Sequence, residues 1–181
     1  MSNVVEVMDA GFRDDPTVSW VSATEAGFAD LHPKFVEACA RPAFAAQAVH
    51  AVTGFKGAAI WYPPGIALDV EELARIFESA PRPDRISAFF ELVDACERYR
   101  PSQPYWELEL LAVDPTSQGQ GLGARLLAYG LEITDGEGLP VYLESSNPAN
   151  LSFYRRHGFE LLAEVTIPHA PRRFPMFREA R

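Results

Sequence analysis

The sequence predicts a mixed α/β fold in which helices and strands alternate around a central sheet. Three observations carry this reading. The i, i+3, i+4 apolar spacing of amphipathic helices recurs in separate stretches, at 70–79, 85–100 and 121–134. Between them lie short runs rich in β-branched and aromatic residues, bounded by Gly and Pro, as strands are. A strand, a glycine-bearing turn, a helix and a second strand then follow one another over 105–143, a unit that belongs in a mixed sheet.

Taken in order, residues 4–12 read as a short helix ending near Asp14, Asp15 and Pro16. Ser22 stands three positions before Glu25, the spacing of a capping box, and opens a second helix. Pro33 suits the first turn of a further helix over 34–40. Residues 45–52 and 56–62 flank Thr53, Gly54 and Phe55 as an antiparallel hairpin, stopped by Pro63, Pro64 and Gly65. Beyond the helices at 70–79 and 85–100 come a strand at 105–113 and a helix at 121–134 ended by Gly136 and Gly138. A strand at 141–143, a helix at 150–156 closed by Gly158, and strands at 159–167 and 174–177 complete the chain.

Length and composition bound the function. The 181 residues suit a single domain over 1–181, and with 48% of them apolar a core forms without disulfides or metal. The two cysteines, Cys39 and Cys96, form neither a CxxC pair nor a disulfide framework, so a reducing, cytoplasmic compartment is the expectation. No basic segment followed by an apolar run opens the chain, and no stretch of about 18 apolar residues occurs, so neither a signal peptide nor a membrane span is expected. A formal net charge of −9 lacks the basic footprint of a nucleic-acid binder. It keeps a protein soluble, and it attracts cationic substrates. His32, His50 and His169 have no metal-ligand spacing, so no metal is expected.

The chemistry concentrates in the run from Val113 to Gly123, which joins a strand to a helix. Glycines at 119, 121 and 123 leave backbone N–H groups open without Cβ obstruction, at a helix N-terminus whose dipole favours negative charge. Such a site suits a pyrophosphate. The third glycine comes one residue too early for the dinucleotide fingerprint GxGxxG, and no Gly-Lys-Ser/Thr follows as a P-loop requires. A glycine-rich turn with no ligand is the plain alternative.

The run Gln118-Gly119-Gln120-Gly121-Leu122-Gly123 resembles motif A of the GNAT superfamily of acyl-CoA N-acyltransferases. A second segment is similar to that family's Asn…Phe-Tyr-x-x-x-Gly-Phe pattern, from Asn147 and Asn150 through Phe153 and Tyr154 to Gly158 and Phe159. Phe12-Arg13-Asp14-Asp15-Pro16 with Trp20, and the run from Gly57 to Gly65, resemble the subgroup containing puromycin N-acetyltransferase. Two departures stand out: the chain begins at the first helix without the strand that usually precedes it, and Tyr105 stands where that subgroup often has His.

The resemblance implies the GNAT fold, a twisted, mostly antiparallel mixed sheet splayed between the family's fourth and fifth strands. It divides the chain into an acceptor-side half at 1–104, an acetyl-CoA core at 105–160 and C-terminal strands at 159–181. It implies that the backbone of Leu111, Ala112 and Val113 pairs with the pantetheine arm. Gln118, Gly119, Gln120, Gly121, Leu122 and Gly123, with Ala124 in the first helical turn, would hold the pyrophosphate of acetyl-CoA. Arg125 either adds a charge contact or lies on a solvated helix face. Tyr154 is the candidate general acid for the departing thiolate, against the plainer role of a core tyrosine beside Phe153 and Phe159. Asn147 suits a helix cap, and Asn150 is the better cofactor contact. For the base, period-two alternation puts Tyr105, Glu107, Glu109, Leu111 and Val113 on one strand face, with Glu144 at the end of the next strand. Glu109 is preferred over Glu107 and Glu144, against the plainer reading of solvated charges. His157 suits a helix C-terminus. Trp61, Tyr62, Phe89, Phe90 and Trp106 either line an acceptor pocket or fill the core.

The expected activity is transfer of an acetyl group from acetyl-CoA to a primary amine of a small molecule, by direct attack in a ternary complex. The alternatives are a non-catalytic acyl-CoA sensor of the same fold, which Tyr154 argues against, and a hydrolase or nucleotide-binding protein, for which GxSxG and P-loop motifs are missing. A homodimer formed by exchange of the C-terminal strand is left open.

Overall fold

A computed structural model gives the fold and describes residues 1–78 and 80–181. The chain opens with α1 (Ser2–Phe12), α2 (Pro16–Ser22) and α3 (Glu25–Ala45), then forms β1 (Val49–Ala51) and β2 (Gly57–Tyr62). After α4 (Val70–Phe77) and α5 (Pro83–Glu97) come β3 (Trp106–Val113), α6 (Leu122–Gly136) and β4 (Val141–Ser145). The chain ends with α7 (Leu151–Arg156), β5 (Glu160–Leu161) and β6 (Phe174–Arg178). One six-stranded sheet of order β1-β2-β3-β4-β6-β5 runs through the fold. Its pairings are antiparallel except for the parallel β3–β4 pair, which α6 connects. No helix among the described residues is long and apolar enough to cross a membrane.

Each face of the sheet carries its own core. On one side α1 and α3 pack Val4, Met8, Val36, Cys39 and Ala43 against Ala58, Ile60, Leu110 and Ala112. On the other, α6 packs Leu126, Leu127 and Leu131 against Ala59, Trp61, Trp106, Leu108 and Val141. Helix α6 lies close: a Cβ on Gly130 would sit 2.2 Å from the Trp61 indole. A satellite core of Val21, Leu31, Leu73, Phe77 and Phe89 joins α2, α3, α4 and α5.

The N-terminal helices depart from the pattern read in the sequence. Asp15 and Pro16 begin a helix as well as following one. The Asp15 carboxylate accepts from the Thr17 and Val18 amides with Pro16 in the first turn, the arrangement that starts α2. Ser22 therefore ends α2 instead of opening the next helix. Ala23 turns left-handed at φ 62°, and Thr24 becomes the cap of α3, accepting from the Gly27 amide. Pro33 and Pro42 both lie inside α3, not at a start. Burial of Phe28, Leu31, Val36, Cys39, Ala40 and Ala43 along one stripe holds the helix together across them. Because α3 runs on to Ala45, the first hairpin strand shrinks to three residues.

Further along, the predicted helix over 70–79 ends at Phe77, and Ser79 lies outside the described residues. Helix α6 extends through Gly136 and is followed by Gly138 at φ 67°. A 3-10 turn, Pro148–Asn150, precedes α7, which starts at Leu151. The strand expected over 159–167 is reduced to Glu160–Leu161 and an isolated bridge between Val165 and Arg173. Its partner β6 carries Pro175, which accepts from the Leu162 amide but has no N–H to return, so the ladder stops there.

Candidate active site

The parallel ladder between β3 and β4 covers only Trp106↔Val141, Glu107↔Tyr142 and Leu108↔Leu143. Beyond Leu108 the two strands separate, leaving the far half of β3 bordered by β2 alone. This is the splay expected between the family's fourth and fifth strands. Here the pair is β3 and β4, counted from the strand that follows α3.

A bulge sets the geometry at the point of separation. On β2, Ile60 pairs with Leu110 while Trp61 pairs with Leu108, so Glu109 is an extra residue on β3. The bulge breaks the alternation expected along this strand. Trp106 and Leu108 point into the α6 core, whereas Leu110 and Ala112 point into the α1–α3 core. Glu107 pairs with Tyr62, whose hydroxyl donates to the Cys39 carbonyl of α3, and Glu109 Oε1 lies 3.7 Å from Cys39 Sγ. Both carboxylates thus face α3. Leu111 and Val113 face α6 instead, within contact distance of a Cβ built on Gly123. The five residues expected on one face are therefore split two ways, since the extra residue shifts the alternation by one.

Backbone polarity in the splay follows the same ladder. The Asp114 amide donates to the Lys56 carbonyl, so alternation directs the Ala112 amide and carbonyl to β2 as well. Leu111 and Val113 turn theirs toward the gap, and the Val113 carbonyl accepts from Gln118 Nε2 at 3.3 Å. Of the three residues assigned to the pantetheine arm, Leu111 and Val113 have the required orientation.

The loop that follows has the form of an anion cradle. Gly119 and Gly121 hold φ at 74° and 75°, and a Cβ on either would meet nothing within 4 Å, so open space lies in front of them. Gly121 is the N-cap of α6 and brings no side-chain cap, which leaves the amides of the first turn, including Leu122, Gly123 and Ala124, without an internal partner. Gln120 is exposed within the same loop, and Arg125 lies exposed on the helix. The residues present therefore fit a pyrophosphate. On the far side, Phe153 of α7 reaches to within 3.8 Å of a Gly123 Cβ. Asn147 caps the 3-10 turn by accepting from the Ala149 amide, while Asn150 is exposed and caps nothing.

Tyr154 is half-buried between Phe153 and Phe159, whose rings lie 5.1 and 5.8 Å away. Burial pushes its phenol up to about 12, with the charge of Asp15 adding to the rise. Asp15 itself ties the start of α2 to the end of β4 by accepting from the Ser146 hydroxyl. His157 ends α7, its Nδ1 next to the Phe153 carbonyl.

On the α3 face the structure gathers a buried polar cluster that no local motif announces. Arg100 donates to Glu107 Oε2 at 2.5 Å, to the Tyr105 hydroxyl at 3.1 Å and to Glu144 Oε1 at 3.4 Å. Glu144 also accepts from the Tyr142 hydroxyl and lies 4.0 Å from Arg173. Two of the three candidate carboxylates are thus paired with arginine. Glu109 accepts from the Cys39 thiol and, among the described residues, is bonded to no arginine. Burial raises Glu109 to about 8, and the charges of Glu107 and Glu144 push the same way against Arg100 and Arg173. Glu107 is raised too, first by burial, although Arg100 opposes it. Among the aromatic candidates, Trp61 and Trp106 belong to the α6 core and Phe89 and Phe90 pack with Phe77, whereas Tyr62 reaches this cluster.

A mixed sheet splayed at a bulge, with a glycine cradle at the mouth of the splay, defines the fold class of the GNAT acetyltransferases. A family model described as "Acetyltransferase (GNAT) domain" matches residues 83–161. A mycothiol acetyltransferase of Streptomyces coelicolor is 39% identical over 56 residues, which are 29% of this chain and 18% of that protein. An uncharacterized N-acetyltransferase of Schizosaccharomyces pombe is 32% identical over 71 residues, covering 39% of this chain and 29% of its own length. The chain thus spans under a third of these curated relatives. Among solved structures, a histone acetyltransferase HPA2-related acetyltransferase of Corynebacterium glutamicum superposes with a TM-score of 0.70 at 23% identity, over 99% of this chain and 91% of its own. Arylalkylamine N-acetyltransferase 2 of Aedes aegypti superposes at 0.72 with 16% identity, over 99% and 94%. Residues 83–161 are thus similar to the GNAT acetyltransferase domain, and the chain as a whole shares the fold of these acetyltransferases.

Proposed function

We propose that this protein transfers the acetyl group of acetyl-CoA to a primary amine of a small molecule, by direct attack within a ternary complex. The observation that carries the reading is Glu109: a half-buried carboxylate with no arginine bonded to it among the described residues, raised to about 8, at the bulge where β3 leaves β4. An amine arrives mostly as an ammonium ion and must lose a proton before it attacks. A carboxyl group titrating near working pH is matched to take it. The Gly119–Gly123 amides bind the pyrophosphate of the co-substrate, and the gap-facing groups of Leu111 and Val113 align its pantetheine arm beside β3. Attack forms the C–N bond and breaks the C–S bond. Tyr154, on the helix that follows β4, returns a proton to the leaving sulfur; its raised phenol keeps that proton at any working pH. The acceptor is cationic in solution, and the net charge of −9 favours its approach.

Calorimetric titration of acetyl-CoA, with NADH as control, tests the cofactor assignment. Micromolar binding with NADH silent is expected, and release of CoA on adding a primary amine should follow. Gly121→Val forces a β-branched residue to a positive φ and puts its side chain into the cradle, so it should weaken acetyl-CoA binding by about 10- to 100-fold. Folded protein that binds neither acetyl-CoA nor CoA would overturn the reading.

A further inference from the structure

We propose that the cavity between the two proline-bearing segments flanking β2 and β3 receives the apolar end of the acceptor, and that the acceptor is a primary amine joined by a short linker to an aromatic ring. The inference rests on the acetyl-transfer reading above and adds a substrate class to it. The cavity holds about 360 Å³. Tyr62, Pro64 and Ile66 form one wall, where the chain leaves β2, and Pro101, Pro104 and Tyr105 form the other, where it enters β3. Glu107, the cross-strand partner of Tyr62, lies at the floor.

Its walls are fixed before anything binds. Proline locks φ on both sides. The Tyr62 hydroxyl is tied to the Cys39 carbonyl of α3. Arg100 holds the Tyr105 hydroxyl and the Glu107 carboxylate together, so one guanidinium sets both a wall and the floor. A preformed pocket of this size suits a single ring with a short arm.

The lining decides the chemistry. Phenol rings, pyrrolidine rings and an isoleucine make up most of it and favour an apolar, flat group, with the polar Ser102 and Gln103 on the segment that enters β3. The one carboxylate is already paired with Arg100, so a second cationic group on the ligand would find no unpaired charge there. Position decides the rest. Glu107 and Glu109 share the α3 face two residues apart, about 7 Å along the strand. A two- or three-bond arm on a ring seated over Glu107 points the amine along the strand toward Glu109, which lies beyond the cavity lining.

The test is titration of the full chain, with and without saturating CoA, using 2-phenylethylamine, methylamine and spermidine. 2-Phenylethylamine should bind most tightly. Ile66→Trp, which fills the cavity, should weaken it by about tenfold or more while methylamine is unaffected. Ser102→Trp, on the exposed rim, serves if Ile66→Trp does not fold, and should act the same way. The inference fails if 2-phenylethylamine does not bind folded wild-type protein, if both folded variants bind it unchanged, or if spermidine binds more tightly, since that would assign the cavity to charge recognition. Acetyl-CoA titrated in parallel separates the two readings: retained acetyl-CoA binding without amine binding sinks only this inference, whereas folded protein that binds no acetyl-CoA sinks the proposed reaction and this inference with it.

Discussion

The two faces of the sheet are built from different materials. The α6 face is apolar, and its helix approaches so closely that Gly130 leaves no room for a methyl group against Trp61. The α3 face buries Glu107 and half-buries Glu109 and Glu144, with Arg100 and Arg173, beside its hydrocarbon core. The first arrangement gains stability from burial and packing. The second loses some by desolvating charge, a loss that arginine offsets for two carboxylates and leaves largely in place for the third. An acid held without an arginine is a candidate for chemistry, and the bulge at Glu109 puts that acid where the sheet opens.

The largest effect expected on this contrast is at Glu109. Glu109→Gln keeps the shape and removes the base, so kcat should fall by about 10²- to 10⁴-fold while acetyl-CoA affinity stays the same. The acid limb of wild-type kcat/KM should lie near 8 and vanish in the residual activity of the variant. Linkage supplies an independent check. The folded state holds the Glu109 proton more tightly than the unfolded chain, so its stabilising contribution is present at low pH and lost as pH rises through about 8. Urea unfolding should therefore find Glu109→Gln gaining on wild type between pH 5 and pH 9. A pH-independent difference would remove Glu109 from the role.

Next comes Arg100→Met, which leaves Glu107 and Glu144 without their shared cation. A loss of about 3 kcal/mol is expected at neutral pH, shrinking in acid as the carboxylates protonate. Tyr154→Phe should lower kcat by about 10- to 100-fold with little change in acetyl-CoA binding or stability, because its ring packing survives. An undiminished kcat would return Tyr154 to the core. The smallest effect is expected on the apolar face. Gly130→Ala forces α6 away from Trp61, but alanine's better helix propensity offsets about 1 kcal/mol, leaving a net loss of about 1–2 kcal/mol and no change in the pH profile.

How far the sequence was legible depended on distance along the chain. The glycine loop, the strand before it and the helix after it could be read from adjacent residues, because backbone freedom and a helix N-terminus are local properties. Glu109 stood out only as the first choice among three acids. What distinguishes it is that Arg100 serves Glu107 and Glu144, from 7 and 44 residues away, and not Glu109. Local capping chemistry also misled where two signals competed: Ser22 and Thr24 are both good caps, and the left-handed turn at Ala23 selected Thr24. Pro33 looked like a helix start until the buried stripe of α3 carried the helix across it.

The sequence by itself determined the class of fold, the order of its main elements and the glycine loop at the start of α6, since periodicity and glycine placement act over a few residues. Only the tertiary structure decided which way the acids of β3 point, which of them lacks an arginine, and what cavity lies above them. Those depend on one inserted residue in a strand pairing and on side chains brought together from Cys39 to Arg173, which no short stretch of sequence encodes.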